Sequence, residues 1–382
     1  MNCQRLIFLN ICETSKNARK EREFSMKRQY IIPIFVPHLG CPNDCVFCNQ
    51  KSISGQVKQM KAEDVKKIIE EHLKYINREN SKIEVAFFGG SFTAIEETKQ
   101  IELLKAANEY ISKRLVQSIR ISTRPDYINK KILKTLKKYH VKTIELGVQS
   151  SNDYILDRAG RGHNFKDVIK ASKLIRWHGF TLGHQMMVGL PESTSSDDIN
   201  TAKDLVKLKP KIVRIYPVLV IKNTKLEKLY ENGEYKALTL TQAVETCKEL
   251  VKIFSKKNIE VIRIGLQPTD TISDISNEKS EVVAGPFHPA FRQLVESGLW
   301  YDVIVEKIKK LNVKVRKVNI IVNPVDVNNV IGHKKENINN LKNVYNVDLI
   351  VNADESIKQG KSKIEILKVD NDFLEDSVEI KK

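Results

Sequence analysis

From Tyr30 onward, the apolar positions of this 382-residue chain switch repeatedly between two rhythms. Short β-branched and aromatic runs alternate with longer segments whose apolar residues return every three or four positions, the spacings of strands and amphipathic helices. Tyr30–Val36 reads as a strand. Residues 61–77 read as a helix, with Val65, Ile68, Ile69, Leu73 and Ile76 on one face. Strands are expected at Ile83–Phe88, Ser118–Ser122, Thr143–Val148, Thr181–Met187 and Ile212–Tyr216. Between them fall helices at Ala94–Lys113 and Asn129–Tyr139, helical segments reaching Trp177, a helix at Ser196–Leu208, and helices to about Lys256. A further short strand, Glu260–Ile264, follows. Repeated βα units demand a parallel sheet with right-handed crossovers. Six units, rather than eight, predict an α/β fold built on a partial (βα)6 barrel over residues 26–265. Chemistry in βα barrels gathers at the C-terminal ends of the strands.

The flanks read differently. Residues 1–25 are polar and charged after one apolar heptad and are expected to carry little structure, with Met26 opening the segment that leads into the first strand. Residues 266–300 are expected to connect, with a helix opening after Pro289 and His288 and Arg292 as either substrate contacts or a cap and solvated face. Residues 301–382 predict a small α/β domain. Its Val330-Ile-Gly-His-Lys-Lys-Glu segment, a basic loop between strand and helix, resembles a degenerate KH module in which Lys335 replaces the second glycine of the loop. The alternative is a packing module that covers an open sheet edge.

Charge adds a partner class. The chain carries 64 Lys and Arg against 47 Asp and Glu, a net charge of +17. Residues 26–300 hold 44 of those cations against 31 of the anions, so the surplus sits on the barrel. It fits a polyanion such as RNA; a Lys-rich solvated surface would give the same total. The apolar runs are too short for a transmembrane helix. Leu6–Cys12 is also too short for a secretory h-region, so a cytoplasmic protein without membrane contact is expected.

The candidate chemistry starts after the first strand. Gly40-Cys-Pro-Asn-Asp-Cys-Val-Phe-Cys-Asn49 places Cys41, Cys45 and Cys48 in C-x3-C-x2-C spacing. A structural zinc site draws four ligands, commonly as two close pairs; Cys3, Cys12 and Cys247 are scattered, and His38 lies in the same turn. A disulfide framework belongs to small chains in oxidising compartments. Three thiolates on one loop suit an iron–sulfur cube with one iron left open. Gly89-Gly90-Ser91-Phe92-Thr93 ends the second strand, where two glycines allow a close backbone approach. Ser122-Thr-Arg-Pro-Asp126 ends the third, Glu145-Leu-Gly-Val-Gln-Ser150 the fourth, and Arg161-Gly-His163 follows twelve residues after Gln149. Gln149 can bond a ribose or carboxylate, and Arg161 can fork onto a carboxylate. Ordinary loop polarity for both, and a satisfied buried carboxylate for Glu145, are the bland alternatives. His184-Gln-Met-Met-Val-Gly-Leu-Pro191 ends the fifth strand and Tyr216-Pro217 the sixth, where Tyr216 could stack on adenine or simply be half-buried.

The cysteine loop and the motifs after it resemble the radical S-adenosylmethionine (SAM) superfamily. Gly-Gly-Ser-Phe-Thr, Ser-Thr-Arg-Pro-Asp, Glu-Leu-Gly-Val-Gln-Ser, Arg-Gly-His and Arg214-Ile-Tyr-Pro-Val-Leu-Val-Ile-Lys-Asn-Thr-Lys-Leu226 are similar, in that order, to the catalytic subunit of Elongator. The likeness covers about residues 30–265. Gln149 and Arg161 also match the spacing of the SAM-contacting pair of oxygen-independent coproporphyrinogen III oxidase. The resemblance implies one [4Fe-4S] cluster on Cys41, Cys45 and Cys48. It implies SAM held by Gly89, Gly90, Ser91, Gln149, Arg161 and Tyr216, and an electron donor such as a flavodoxin or ferredoxin. It also implies a 5′-deoxyadenosyl radical used for RNA, above all tRNA, modification; no catalytic residue beyond these is assigned. Ser122 stands where the Elongator motif has Glu, the spacing of the first two cysteines is shorter, and no acetyl-CoA loop is present. The resemblance is therefore to a shorter bacterial Elongator-like group lacking the acetyltransferase domain. A radical SAM enzyme for a small molecule such as a porphyrin precursor, and a non-catalytic iron–sulfur RNA-binding protein, are the alternatives.

Overall fold

The computed structural model describes residues 28–36, 45–49, 60–79, 81–311 and 314–369. The expectation for residues 1–25, and the one for Cys41, lie outside them. Two compact units divide at Phe291 and Arg292.

The larger unit is built on seven parallel strands in chain order: β1 (Arg28–Val36), β2 (Ser81–Gly89), β3 (Ser118–Thr123), β4 (Val141–Gln149), β5 (Thr181–Val188), β6 (Ile212–Pro217) and β8 (Glu260–Ile264). Six βα units are followed by the expected short strand Glu260–Ile264, which pairs parallel with β6 and makes the seventh strand. Between the strands run α1 (Ala62–Leu73), α2 (Glu97–Ser112), α3 (Lys130–Lys138), α4 (Asp153–Arg158), α5 (Phe165–Trp177), α6 (Ser195–Lys207), α7 (Lys225–Glu231) and α8 (Leu240–Ser255). Their starts follow local chemistry. Asn129, Asn164, Thr194 and Thr239 each accept an amide hydrogen bond from the third helical residue, the side-chain cap that a helix start needs. The helix expected from Ala94 begins at Glu97, because Phe92–Ala94 closes a 3-10 turn first. Gln100 braces that turn by donating to the Thr93 and Ile95 carbonyls at 3.2 and 2.6 Å.

One face of the sheet packs Ile83, Val85, Ile119, Ile121, Ile144, Leu146, Val213 and Ile215, all nearly solvent-free. The opposite face carries charge. Arg120 binds Glu84 at 2.6 Å and Glu145 at 2.7 Å; Arg214 binds Glu145 at 2.6 Å; Gln185 donates to Glu145 at 3.0 Å. This chain of ions crosses strands β2 to β6 in place of an apolar barrel filling. Burial pushes the Glu145 carboxyl up, but Arg214 and Arg120 overcome it and hold it below its ordinary value. Glu145 is therefore the satisfied buried carboxylate of its two expected roles.

Of the connecting segment 266–300, residues 266–290 hold no helix, and the helix expected after Pro289 starts at Phe291. The stretch is rich in Ser, Thr, Asp and Asn, and its one regular piece is β9 (Val282–Ala284), antiparallel to β7 (Val220–Ile221). Helix α9 (Phe291–Lys309) starts after it and runs into the smaller unit. Trp300 and Ile304 of α9 join the small unit's apolar core with Val318, Ile320, Val330 and Leu341. The small unit continues with β10 (Val315–Val322), α10 (Val327–Ile331), α11 (Glu336–Tyr345), β11 (Asp348–Ala353) and β12 (Ser362–Val369). Strand β10 pairs parallel to β11 and antiparallel to β12. In the Gly332-His-Lys-Lys335 turn, Lys335 takes φ +62°, the left-handed form that a glycine would favour.

Candidate cluster and SAM site

The expected site residues that the structure describes collect at the C-terminal ends of the strands. Residues 45–49 are held by three separate elements. The Val46 amide donates to the Ala159 carbonyl at 3.1 Å, the Leu226 amide to the Val46 carbonyl at 2.8 Å, and Asn49 Nδ2 to the Lys222 carbonyl at 2.9 Å. Val46 and Phe47 pack on an apolar cluster that includes Ile155, Leu190, Val218 and Leu226. The Cys48 amide donates to the Cys45 carbonyl at 2.9 Å, so the backbone doubles back between the two sulfurs. Cys45 is buried and Cys48 half-buried, and neither is in a disulfide.

Arg161 joins this loop to the sheet. Its Nη1 donates to Cys45 Sγ at 3.3 Å and its Nη2 to the Gly147 carbonyl at 2.7 Å. Strand β4 bulges between Gly147 and Gln149, and Gln149 ends it at φ +73°. That is the left-handed region, which costs a side-chain-bearing residue about 1–2 kcal/mol. The bulge lays the Gln149 amide back over Gly147. A Cβ on Gly147 would stand 3.1 Å from Gln149 Nε2 and 3.3 Å from Arg161 Nη2. Both side chains are buried, yet Gln149 Oε1 and Arg161 Nε have no hydrogen-bond partner among the described residues. Buried polar atoms without protein partners are uncommon in folded proteins, and each calls for a partner such as water, an ion or a ligand.

Gly89 supplies a second approach. Its φ is +107°, and a Cβ there would fall 2.4 Å from the Val36 carbonyl oxygen, so no other residue fits this crossing of β1 and β2. Gly90 donates its amide to the same carbonyl at 3.4 Å. Ser91 is engaged elsewhere: its hydroxyl lies 2.8 Å from Thr123 Oγ1 and accepts the Arg124 amide at 3.1 Å, pinning the end of β2 to that of β3. Tyr216 is half-buried at the end of β6, hydrogen-bonded with Arg214, and burial raises its phenol above the ordinary value. Arg214 in turn stacks 5.0 Å from the Phe88 ring.

His163, the end of the Arg161-Gly-His motif, is buried beside Arg161; its Nε2 lies 3.3 Å from the Val148 carbonyl, and its Nδ1 has no partner among the described residues. Burial, with the Arg161 and Arg124 cations, pushes its pKa down to about 3, so the ring is neutral, donating through Nε2 and leaving Nδ1 as an acceptor. Nothing in its spacing alone separates it from a loop histidine. His184 faces the other way, against Ser172 Oγ at 2.9 Å, and burial holds it neutral as well. His288 Nδ1 accepts the Ala290 amide at 3.1 Å, and Arg292 pairs with Glu296 at 2.7 Å.

Comparison with known proteins adds the family. A model described as "Radical SAM superfamily" matches residues 35–205, and one described as "Radical_SAM C-terminal domain" matches residues 210–301. The chain belongs to the radical SAM superfamily. A tRNA uridine(34) acetyltransferase of Methanocaldococcus infernus is 31% identical over 207 residues, 49% of this chain and 39% of that protein. An uncharacterized protein of Methanocaldococcus jannaschii is 33% identical over 219 residues, 54% of this chain and 66% of its own length. The solved structure of the archaeal Methanocaldococcus infernus Elp3 with an N-terminal deletion superposes with a TM-score of 0.56 at 23% identity, covering 74% of this chain and 64% of that one. It shares the fold. This radical SAM chain spans about two-fifths of the length of the acetyltransferase it matches, 39%.

The described residues fit the groups that the superfamily uses. Two sulfur donors sit on a braced turn, a fixed cation touches one of them, and unpartnered polar atoms and a glycine crossing surround the same strand ends. Among the described residues, no helix is long and apolar enough to cross a membrane.

Proposed function

We propose that this protein is a radical SAM enzyme that modifies tRNA. The observation that carries the enzyme half is Arg161, whose guanidinium bridges Cys45 Sγ and the Gly147 carbonyl beside the unpartnered Gln149 Oε1. One side chain thereby ties the cysteine turn to the strand end. Cys45 and Cys48, with Cys41 outside the described residues, would hold a [4Fe-4S] cluster. When bound, the cluster and SAM supply radical chemistry for hydrogen abstraction. Gln149 Oε1 offers an acceptor to a ribose hydroxyl or an ammonium group, and Arg161 Nε offers a donor. Gly89 and Gly90 keep side chains out of the approach along β2. Tyr216, held by Arg214, offers a ring edge at the next open strand end. A flavodoxin or ferredoxin would deliver the electron.

The tRNA half is supported by kinship with a protein named for tRNA uridine(34) and by the cationic surplus on residues 26–300. The test is anaerobic reconstitution with iron, sulfide and a strong reductant, reading 5′-deoxyadenosine from SAM. Nucleosides of total tRNA from a strain lacking the gene are then compared by mass spectrometry. Wild type should cleave SAM, Cys45→Ala should not, and the deletion strain should lack or truncate one modified uridine. SAM cleavage that persists in Cys45→Ala refutes the cluster assignment; an unchanged nucleoside profile refutes tRNA.

A further inference from the structure

Helix α3, Lys-Lys-Ile-Leu-Lys-Thr-Leu-Lys-Lys, buries Leu133 and Leu136 and exposes all five lysines. It has no acidic residue in its first turn, where Lys130 and Lys131 stand. Cations at a helix N-terminus oppose the macrodipole, and the like-charged pairs Lys130/Lys134 and Lys134/Lys138 repel at i,i+4 spacing. Among the described residues, Lys131 is the lysine of this helix with an ion pair, to Glu97 at 2.6 Å. General lysine richness does not explain this: α1 sets Lys66 and Lys67 among Glu63, Asp64, Glu70 and Glu71.

The neighbouring helix α5 also carries a row of exposed lysines, although Asp167 caps its first turn. Lys166, Lys170, Lys173 and Trp177 fall at i, i+4, i+7 and i+11, one exposed face, while Val168, Ala171 and Ile175 are buried. The two cationic rows meet at Trp177. Its indole is 76% exposed, an unusual cost for so large an apolar ring. Lys130 Nζ lies 5.8 Å from its centroid, and Lys137 Nζ donates to the next residue's carbonyl, that of His178, at 3.2 Å.

We propose that the exposed faces of α3 and α5 form an RNA-binding surface, with the lysines on successive phosphates and Trp177 stacking on an unpaired base. A polyanion relieves the repulsion that α3 tolerates, and the flat exposed ring beside cations is the combination that single-stranded nucleic acid uses. An acidic protein would satisfy the lysines but leaves the indole without a partner. The surface deepens the tRNA reading and rests on it for the identity of the strand.

The test uses the full reconstituted chain and bulk bacterial tRNA. The chain has two tryptophans, and Trp300 is only 9% exposed, so quenching of the solvent-accessible emission reports Trp177. tRNA should quench that emission. The combined Lys130→Glu, Lys134→Glu, Lys170→Glu variant should bind tRNA at least about 30-fold more weakly, with a salt slope shallower by about 2–3. Trp177→Ala should lose about 5- to 100-fold and Trp177→Phe much less. A control with equal charge change, Lys67→Glu, Lys105→Glu, Lys203→Glu, should lose far less. Glu at position 130 favours the helix dipole, so lost binding is not lost folding. Wild-type affinity in the first variant, an equal loss in the control, or no quenching overturns the surface. SAM cleavage without RNA should persist in every variant; its persistence beside a failed surface leaves the enzyme reading intact, and its absence in wild type fails that reading instead.

Discussion

If Gln149 awaits a ligand, removing it should leave the protein no less stable while weakening SAM binding, which is the opposite of what a core glutamine does. The perturbation is a two-step ladder, Gln149→Ala and then Gln149→Gly. Alanine deletes the unpartnered Oε1, whose desolvation costs about 1–3 kcal/mol. It also deletes a buried methylene worth about 0.8 kcal/mol. The net expectation is a change between about zero and +2 kcal/mol of stability. Alanine keeps the strain at φ +73°; glycine relieves about 1–2 kcal/mol of it and gives back about 0.5–1 kcal/mol in chain entropy. The glycine variant should therefore be the most stable of the three in the absence of SAM. Loss of one or two hydrogen bonds at about 1 kcal/mol each should weaken SAM binding about 5- to 30-fold. Anaerobic thermal unfolding with and without SAM reads both quantities, because a ligand bound to the native state raises the midpoint in proportion to its affinity. A Gln149→Ala variant more than about 1.5 kcal/mol less stable, with SAM stabilisation intact, refutes the reasoning and makes Gln149 a packing residue.

Other perturbations follow from the same geometry. Arg161→Lys replaces a fork by a point charge that cannot reach Cys45 Sγ and the Gly147 carbonyl together, so iron retained per chain after reconstitution should fall; undiminished iron and SAM binding would assign Arg161 a bystander's place. Glu145→Gln leaves Arg120 and Arg214 facing a neutral amide and should cost about 3–5 kcal/mol in urea unfolding, against less than about 1 kcal/mol if the network is solvated. His163 and His184, held near 3 against an ordinary 6.5, contribute stability that is complete above pH about 6.5 and drains away as the pH falls toward 3. Asp198, pushed up to about 7 from 3.8 by burial, acts in the opposite sense: its contribution is complete below about 3.8 and is lost as the pH rises to about 7. Two histidines outweigh one aspartate, so the midpoint should climb from pH 4 to 6.5 and level above 7. Asp198→Asn should raise it at pH 8, and a midpoint that instead falls in that variant contradicts the assignment.

The sheet was legible because each strand's apolar run is local. Glu260–Ile264, short as it is, has the same local apolar run, and it pairs with β6 as the seventh strand. The charged face was legible only at Glu145, as a satisfied buried carboxylate, and its partners were not. Glu84, Arg120, Glu145 and Arg214 alternate with apolar residues as the outer face of a half-exposed strand would, yet they bury one another across separations of 25 to 69 positions. Periodicity reports which face a residue takes, not what waits there. The small strands β7 and β9 escaped for a related reason: two or three residues have no period, and their pairing is fixed by the chain returning from position 282.

At the site, residue types and spacing announced Gln149 and Arg161, but the bridge from Arg161 to a sulfur 116 positions away is tertiary. The backbone supplies an independent reason to place function there. Among the described residues, ten non-glycine residues have positive φ, and Arg114, His140, Lys209, Asn258 and Asn346 each follow a helix C-terminus, where a left-handed residue closes the last carbonyls. Glu192, Asn223, Lys334 and Lys335 lie in turns. Gln149 alone among them belongs to a strand, and it is also buried with an unpartnered oxygen. Helix capping cannot account for it. Strain persists where the surroundings over-determine it: β4 shifts register between Gly147 and Gln149, and the bare Cα of Gly147 leaves room for the Gln149 amide. A departure from local rules confined to this one strand end is the backbone's support for the proposed ligand contact of Gln149.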